Sequence, residues 1–173
     1  MAAPTVPATR EGVETMGFSG IIVVARSARP LSELDSVRAC GGSPVWSGAD
    51  DEWQAVQLSD AGNSPPALLD ETGAPTLVAR VVNGSFAMVR AASPTGVGWA
   101  GVLGPDEAER HPLPIEFLVP PEDVVDPAVG WARAAGLAPD VDRLEDVLQA
   151  EPDPTAAELV FELLGALGFT FSR

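Results

Sequence analysis

Few residues in this chain have the types and spacing that chemistry needs. Gly96-Val97-Gly98-Trp99-Ala100-Gly101 spells G-x-G-x-x-G, the spacing that lets a backbone approach a pyrophosphate at a helix N-terminus. A dinucleotide site needs those glycines between a strand and a helix. Here only Val102 and Leu103 precede Gly104-Pro105, so no helix can follow. The glycines are expected to serve a turn and a strand that needs close backbone approach. The chain has no lysine, and so no G-x-x-x-x-G-K phosphate loop.

Cys40 is the only cysteine and falls in the last turn of a helix expected after Pro30. The negative end of a helix dipole raises a thiol pKa, the wrong direction for a nucleophile, and a structural role is expected. His111, the only histidine, stands in E-R-H-P-L-P with no G-x-S-x-G elbow elsewhere in the chain to supply a nucleophile. A zinc site would have to combine one His, one inert Cys and carboxylates, which suits the metal poorly. His111 is expected to be an exposed loop residue.

Two acidic groups, Asp50-Asp51-Glu52 and Asp140, Asp142, Glu145 and Asp146, have the charge for a hard cation. Leu144 breaks the EF-hand pattern at its third ligand, and a loop tip and a solvated helix face are expected instead. Paired carboxylates for glycoside chemistry are a matter of three-dimensional spacing, and nothing local supports them. Asn83-Gly84-Ser85 has the form of a glycosylation sequon but occupies a tight turn. Trp46, Trp53, Trp99 and Trp131 could line a pocket, although core packing is the commoner fate of tryptophan. No catalytic, cofactor-binding or metal-ligating residue is assigned.

The elements that position these residues centre on Thr76 to Gly104. Asn83-Gly84 between two apolar, β-branched runs signals a hairpin with a two-residue type I′ turn. Pro94-Thr95-Gly96 turns the chain again, so a three-stranded antiparallel meander is expected. A two-residue turn pairs Val82 with Ser85, Val81 with Phe86, Ala79 with Met88 and Leu77 with Arg90. One face then carries Leu77, Ala79, Val81, Phe86 and Met88; the other carries Val78, Val82, Ala87, Val89 and Ala91, interrupted by Arg80. Both faces are largely apolar and both need cover.

Upstream, Phe18 to Arg26 reads as a central strand, and Pro30 opens a helix carrying Leu31, Leu34 and Val37 that Gly41-Gly42 closes. Val45-Trp46 and Trp53 to Leu58 suggest a hairpin around a polar tip. Pro65 to Glu71 reads as a short helix with Ser64 as cap and Gly73 as stop. Downstream, Pro105 to Pro121 holds five prolines and reads as a linker or wrapping arm, extended at Ile115 to Val119. Three helices follow. Asp126-Pro127 opens the first and Gly136 ends it. Asp140 caps the second, whose stripe is Val141, Leu144, Val147 and Leu148. The third is capped by Asp153 before Pro154, or by a Thr155/Glu158 box, and is apolar enough to be largely buried.

Composition bounds the remaining possibilities. An apolar fraction of 46% with 20% charged residues suits a folded globule. No run reaches the roughly 18–20 apolar residues that span a bilayer. The N-terminus has neither the basic start nor the apolar core of a signal peptide. With one cysteine and no such leader, a cytoplasmic setting is expected, and the all-arginine basic set with abundant Ala, Gly, Pro and Val suits a bacterium with GC-rich coding.

The net charge of −15 divides into −4 over residues 1–104 and −11 over 105–173. It disfavours both nucleic acid and anionic membrane surfaces as partners. The expected fold is α+β: a disordered leader over 1–16, a mainly antiparallel sheet with a three-stranded meander and two helices over 17–104, a Pro-rich linker or arm over 105–121, and a three-helix segment over 122–173 that packs on the sheet. The expected function is a non-catalytic interaction or regulatory module without a cofactor, whose partner is another protein, with a homodimer as runner-up. The rival expectation is a small-molecule binder or hydrolase with carboxylates in a pocket between sheet and helices.

Overall fold

The computed structural model describes residues 18–62, 64–65, 67–152 and 155–171. The leader expected over 1–16 and the alternative cap Asp153-Pro154 lie outside the described residues. The fold is α+β. Six strands form one antiparallel sheet: β1 (Gly20–Arg26), β2 (Ser43–Asp50), β3 (Trp53–Ser59), β4 (Thr76–Val82), β5 (Phe86–Ala92) and β6 (Trp99–Leu103), in spatial order β2-β3-β1-β4-β5-β6. Among the described residues six helices accompany it: α1 (Asp35–Arg38), α2 (Leu68–Thr72), α3 (Pro105–Ala108), α4 (Pro121–Ala134), α5 (Val141–Gln149) and α6 (Ala156–Leu167). Short 3-10 turns lie at Leu31–Glu33 and Ile115–Phe117.

The continuous apolar run Ile21 to Ala25 is central in the sheet and fully buried, as a strand covered on both faces requires. Its residues alternate between two cores. One core contains Ile22 and Val24 with Leu77, Ala79, Val81, Ala87, Val89 and Ala91, packed beneath α4, α5 and α6. The other contains Ile21, Val23 and Ala25 with Leu31, Leu34, Val37, Cys40 and Leu68.

The meander is present, and the turn has the expected backbone: Asn83 and Gly84 take φ of 52° and 69°, and Ser85 N–H donates to Val82 O at 2.9 Å. The register differs from the expectation by one residue. Ser85 stays in the turn, and Val82 pairs with Phe86, Arg80 with Met88 and Val78 with Arg90. A one-residue shift moves every β5 side chain to the opposite face. Phe86 and Met88 therefore leave the helix-covered face, and Ala87, Val89 and Ala91 join it. The reason lies in the charges. In the expected register Arg90 would stand opposite Leu77 beneath the helices, an unpaired buried charge. In the observed register Arg80 and Arg90 both lie on the other face. The β4–β5 stretch of the helix side is then wholly apolar. The turn is also held from outside: Gly84 N–H donates to Phe18 O, Asn83 N–H to Ser19 Oγ, and Ala156 N–H to Gly84 O.

Several element boundaries also differ. The helix expected from Pro30 is a 3-10 turn followed by the short α1, with Leu34 extended between them. Glu71, from α2, accepts from the backbone N–H groups of Asp35 and Ser36 and from Ser36 Oγ, so one helix caps the other. Those bonds, the Ser36 hydroxyl first, hold its carboxyl below the usual range. α2 begins at Leu68 without the Ser64 cap, although Gly73 ends it in the left-handed region as expected. The polar tip of the β2–β3 hairpin shrinks to Asp51-Glu52.

Downstream, α4 begins at Pro121, where a missing N–H costs nothing, and runs through Pro127. The extra turns bury Val124 and Val125, which offsets the bond that Pro127 cannot make. Asp140 caps α5 through Arg143 N–H, and Thr155 caps α6 through Glu158 N–H.

Aromatic rings complete the helix side. Trp131 is fully buried and donates from Nε1 to Ala92 O at 2.9 Å. Trp53 meets both Trp131 and Phe169, and Trp46 meets Phe161 and Phe171 edge-on. Arg26 lies 4.7 Å over Trp53 and donates to Ala135 O at the C-terminal end of α4, where the helix dipole favours a cation.

Replacing Gly84 by Val places a β-branched side chain in the left-handed region and is expected to cost about 1–2 kcal/mol. A chain of this size should melt roughly 2–8 °C lower. An unchanged melting temperature would contradict the turn.

Candidate functional site

The two sheet faces are covered unequally. Helices close the first. On the second, the 3-10 turn at Leu31–Glu33, α1 and α2 cover β1 and β3, and beyond them β4 and β5 carry Val78, Arg80, Val82, Phe86, Met88 and Arg90. The arm from Pro105 to Val119 crosses the far side of this surface. It is built from α3, which starts on left-handed Gly104, and from the 3-10 turn at Ile115–Phe117, where an extended segment was expected. His111 is exposed and its ring packs 4.7 Å from Phe86, while Phe117 is buried beneath the arm.

Between the arm and the loop that precedes α2 the sheet lies open in a trough of about 430 Å³. Val78 and Met88 form its floor, Ser64 and Pro65 one rim, and Pro114 and Phe117 the other; Arg80 and Arg90 project into it. Arg80 donates to Gly62 O at 3.0 Å. Arg90 is 5.2 Å from the Phe117 ring centroid and forms a hydrogen-bonded ion pair with Glu116. That guanidinium holds the Glu116 carboxyl below the usual range. The pair is about half exposed, 55% for Arg90 and 47% for Glu116, where ion pairs contribute little to stability. Its effect is positional. It ties the arm to β5 and separates the trough from a shallower groove of about 390 Å³ along Gly96 to Ala100.

No family model, curated protein or solved structure matches the chain.

The residues singled out in the sequence do not converge. Gly96 takes a positive φ in its turn; a Cβ on Gly98 would sit 2.5 Å from Ala91 O; Gly101 lets Val124 of α4 pack onto β6. These are the turn and close-approach roles expected of them. Cys40 is buried, its Sγ donates to Ser36 O, and burial pushes its thiol pKa up. Asp50 accepts from Thr170 N–H and so fastens the C-terminal end to the β2–β3 hairpin. Among the described residues no group of three or more His, Cys, Asp or Glu side chains is placed to hold a metal ion. Glu151 has a carboxyl pushed up by partial burial and then by Asp106 beside it, and both are surface residues.

Sequence reasoning placed Arg80 and Arg90 in the meander without giving them a site, and passed over Ile115 and Leu118. The last two are 83% and 60% exposed, the most exposed large apolar side chains described. They flank Phe117, and Leu118 N–H donates to Ile115 O. Positions i and i+3 of a 3-10 turn eclipse, so the two side chains form one apolar knob beside the trough. Phe117, buried between them, fixes the knob to the sheet.

Phe117→Ala should release the arm. Burying a phenylalanine is worth about 1.5–3 kcal/mol, so tryptic cleavage after exposed Arg110 should accelerate at least about tenfold. Equal cleavage rates in the two proteins would contradict the anchoring.

Proposed function

We propose that this protein is a non-catalytic protein-interaction module that binds its partner through the arm and the open face of the sheet. The observation that carries this reading is the Ile115–Leu118 knob, two large aliphatic side chains held in water by a short turn whose last residue, Phe117, is buried. Holding apolar area exposed at a pinned position gains nothing for the fold, and such patches mark contact sites. The space between sheet and helices supports the same reading. It is filled by Trp131, Leu144, Leu163 and their neighbours, and among the described residues no carboxylate is buried. This leaves little room for the rival, a small-molecule binder or hydrolase using carboxylates in that layer.

A cytoplasmic setting fits a chain whose single cysteine is buried as a thiol. No helix among the described residues is long and apolar enough to cross a membrane.

Ile115→Ser/Leu118→Ser tests the proposal. The double variant should melt with the wild type, since exposed substitutions away from special features change stability by about 0.5 kcal/mol or less. Proteins retained by the immobilised wild-type chain but not by the variant would be purified and titrated against both by calorimetry. A partner whose affinity falls at least tenfold in the variant is expected. The same proteins bound equally by both, or a marked loss of stability in the variant, would count against it.

A further inference from the structure

We propose that the trough receives an extended acidic segment of the partner protein, with a carboxylate seated between Arg80 and Arg90 and an apolar side chain resting on Val78 and Met88. The inference rests on the interaction-module reading and names the chemistry of its partner.

The geometry supplies the reasons. Arg80 faces Met88 and Arg90 faces Val78 across the same pair of strands, so the arginines are diagonal neighbours with apolar residues at the other two corners. Diagonal positions lie about 7–8 Å apart, within reach of one carboxylate for two long side chains. Each guanidinium has five N–H donors. The bonds to Gly62 O and to Glu116 each engage Nη2, and a fork of this kind can take a second acceptor.

The chain already places a carboxylate on one of the two arginines, from the side of the neighbouring groove. Glu116 sits on Arg90 as a partner's acid would, and it can be displaced because the pair is half exposed. Its usual cost to an incoming ligand is therefore small.

The net charge of −15 opposes the approach of an acidic partner, but at physiological salt that repulsion acts only over short range. The Debye length is then about 8 Å, so charges on the distant helices are screened while contacts inside the trough are not. A protein segment is favoured over a small molecule because the apolar surface does not stop at the trough. It continues over the Pro114 rim to Ile115 and Leu118, beyond the reach of a ligand that would fill about 430 Å³.

The test uses a random dodecapeptide phage library selected on the full-length chain. Selected sequences should carry Asp or Glu next to aliphatic or aromatic residues. A fluorescent synthetic copy should bind Arg80→Gln/Arg90→Gln at least tenfold more weakly than wild type, with both proteins folded by calorimetry. Should the double variant be destabilised, Arg90→Gln alone serves, since that side chain is 55% exposed, and the same direction of change is expected. Four results would overturn the inference: no peptide binding above background, selected peptides without acids, equal binding by the arginine variants, or a wild-type dimer in light scattering that the arginine variants abolish. Binding that is lost in Ile115→Ser/Leu118→Ser but kept in the arginine variants would reject the acidic segment while leaving the interaction module standing.

Discussion

An unpaired guanidinium beneath a layer of apolar helices costs several kcal/mol, a large share of the roughly 5–15 kcal/mol that holds a typical domain together. That penalty organises this structure. Arg80 and Arg90 flank one hairpin and must share a face if the other is to be sealed. Pairing Val82 with Phe86, with Ser85 kept in the turn, is the register that places them together. The β4–β5 stretch of the helix side then becomes apolar, from Leu77 and Ala79 to Val89 and Ala91, and α4 to α6 close over it, with Arg26 admitted only at the margin, where Ala135 O accepts a hydrogen bond from it.

The same register leaves the second face mixed. Val78, Met88 and Phe86 are apolar, but the two arginines prevent a dry seal there. The chain covers this face in parts instead, with the Leu31–Glu33 turn, α1 and α2 over β1 and β3 and the arm over Phe86 and Arg90. The remaining gap is the trough, and the exposed knob of Ile115 and Leu118 stands at its edge. A closed face gives stability, and an incompletely covered one gives a surface on which a partner can finish the burial.

Much of the fold was legible from local chemistry. The Asn83-Gly84 turn, the central strand Ile21 to Ala25, the Gly73 stop and the Asp140 and Thr155 caps each follow from what a single residue type can do with its backbone. The register was not, because turn chemistry specifies two positive φ values and says nothing about a third residue left unpaired. The positions of Arg80 and Arg90 held the answer, since the two-residue register puts them on opposite faces. Pro127 misled for a related reason. Its local preference for a helix start lost to the burial of Val124 and Val125 one turn earlier. The surface around the trough was illegible because it joins Val78, Arg90, Pro114 and Phe117, brought together only once the arm has folded across β5.

Cross-strand nuclear Overhauser effects in the folded chain test the register most directly. In the arrangement described, Ala79 faces Val89, and Arg80 faces Met88. Backbone contacts between those pairs are expected, together with slow amide exchange along β4 and β5. Contacts between Ala79 and Met88 and between Val81 and Phe86 instead would put the arginines on opposite faces. Such a result would contradict both the sealed helix side and the arginine-lined trough.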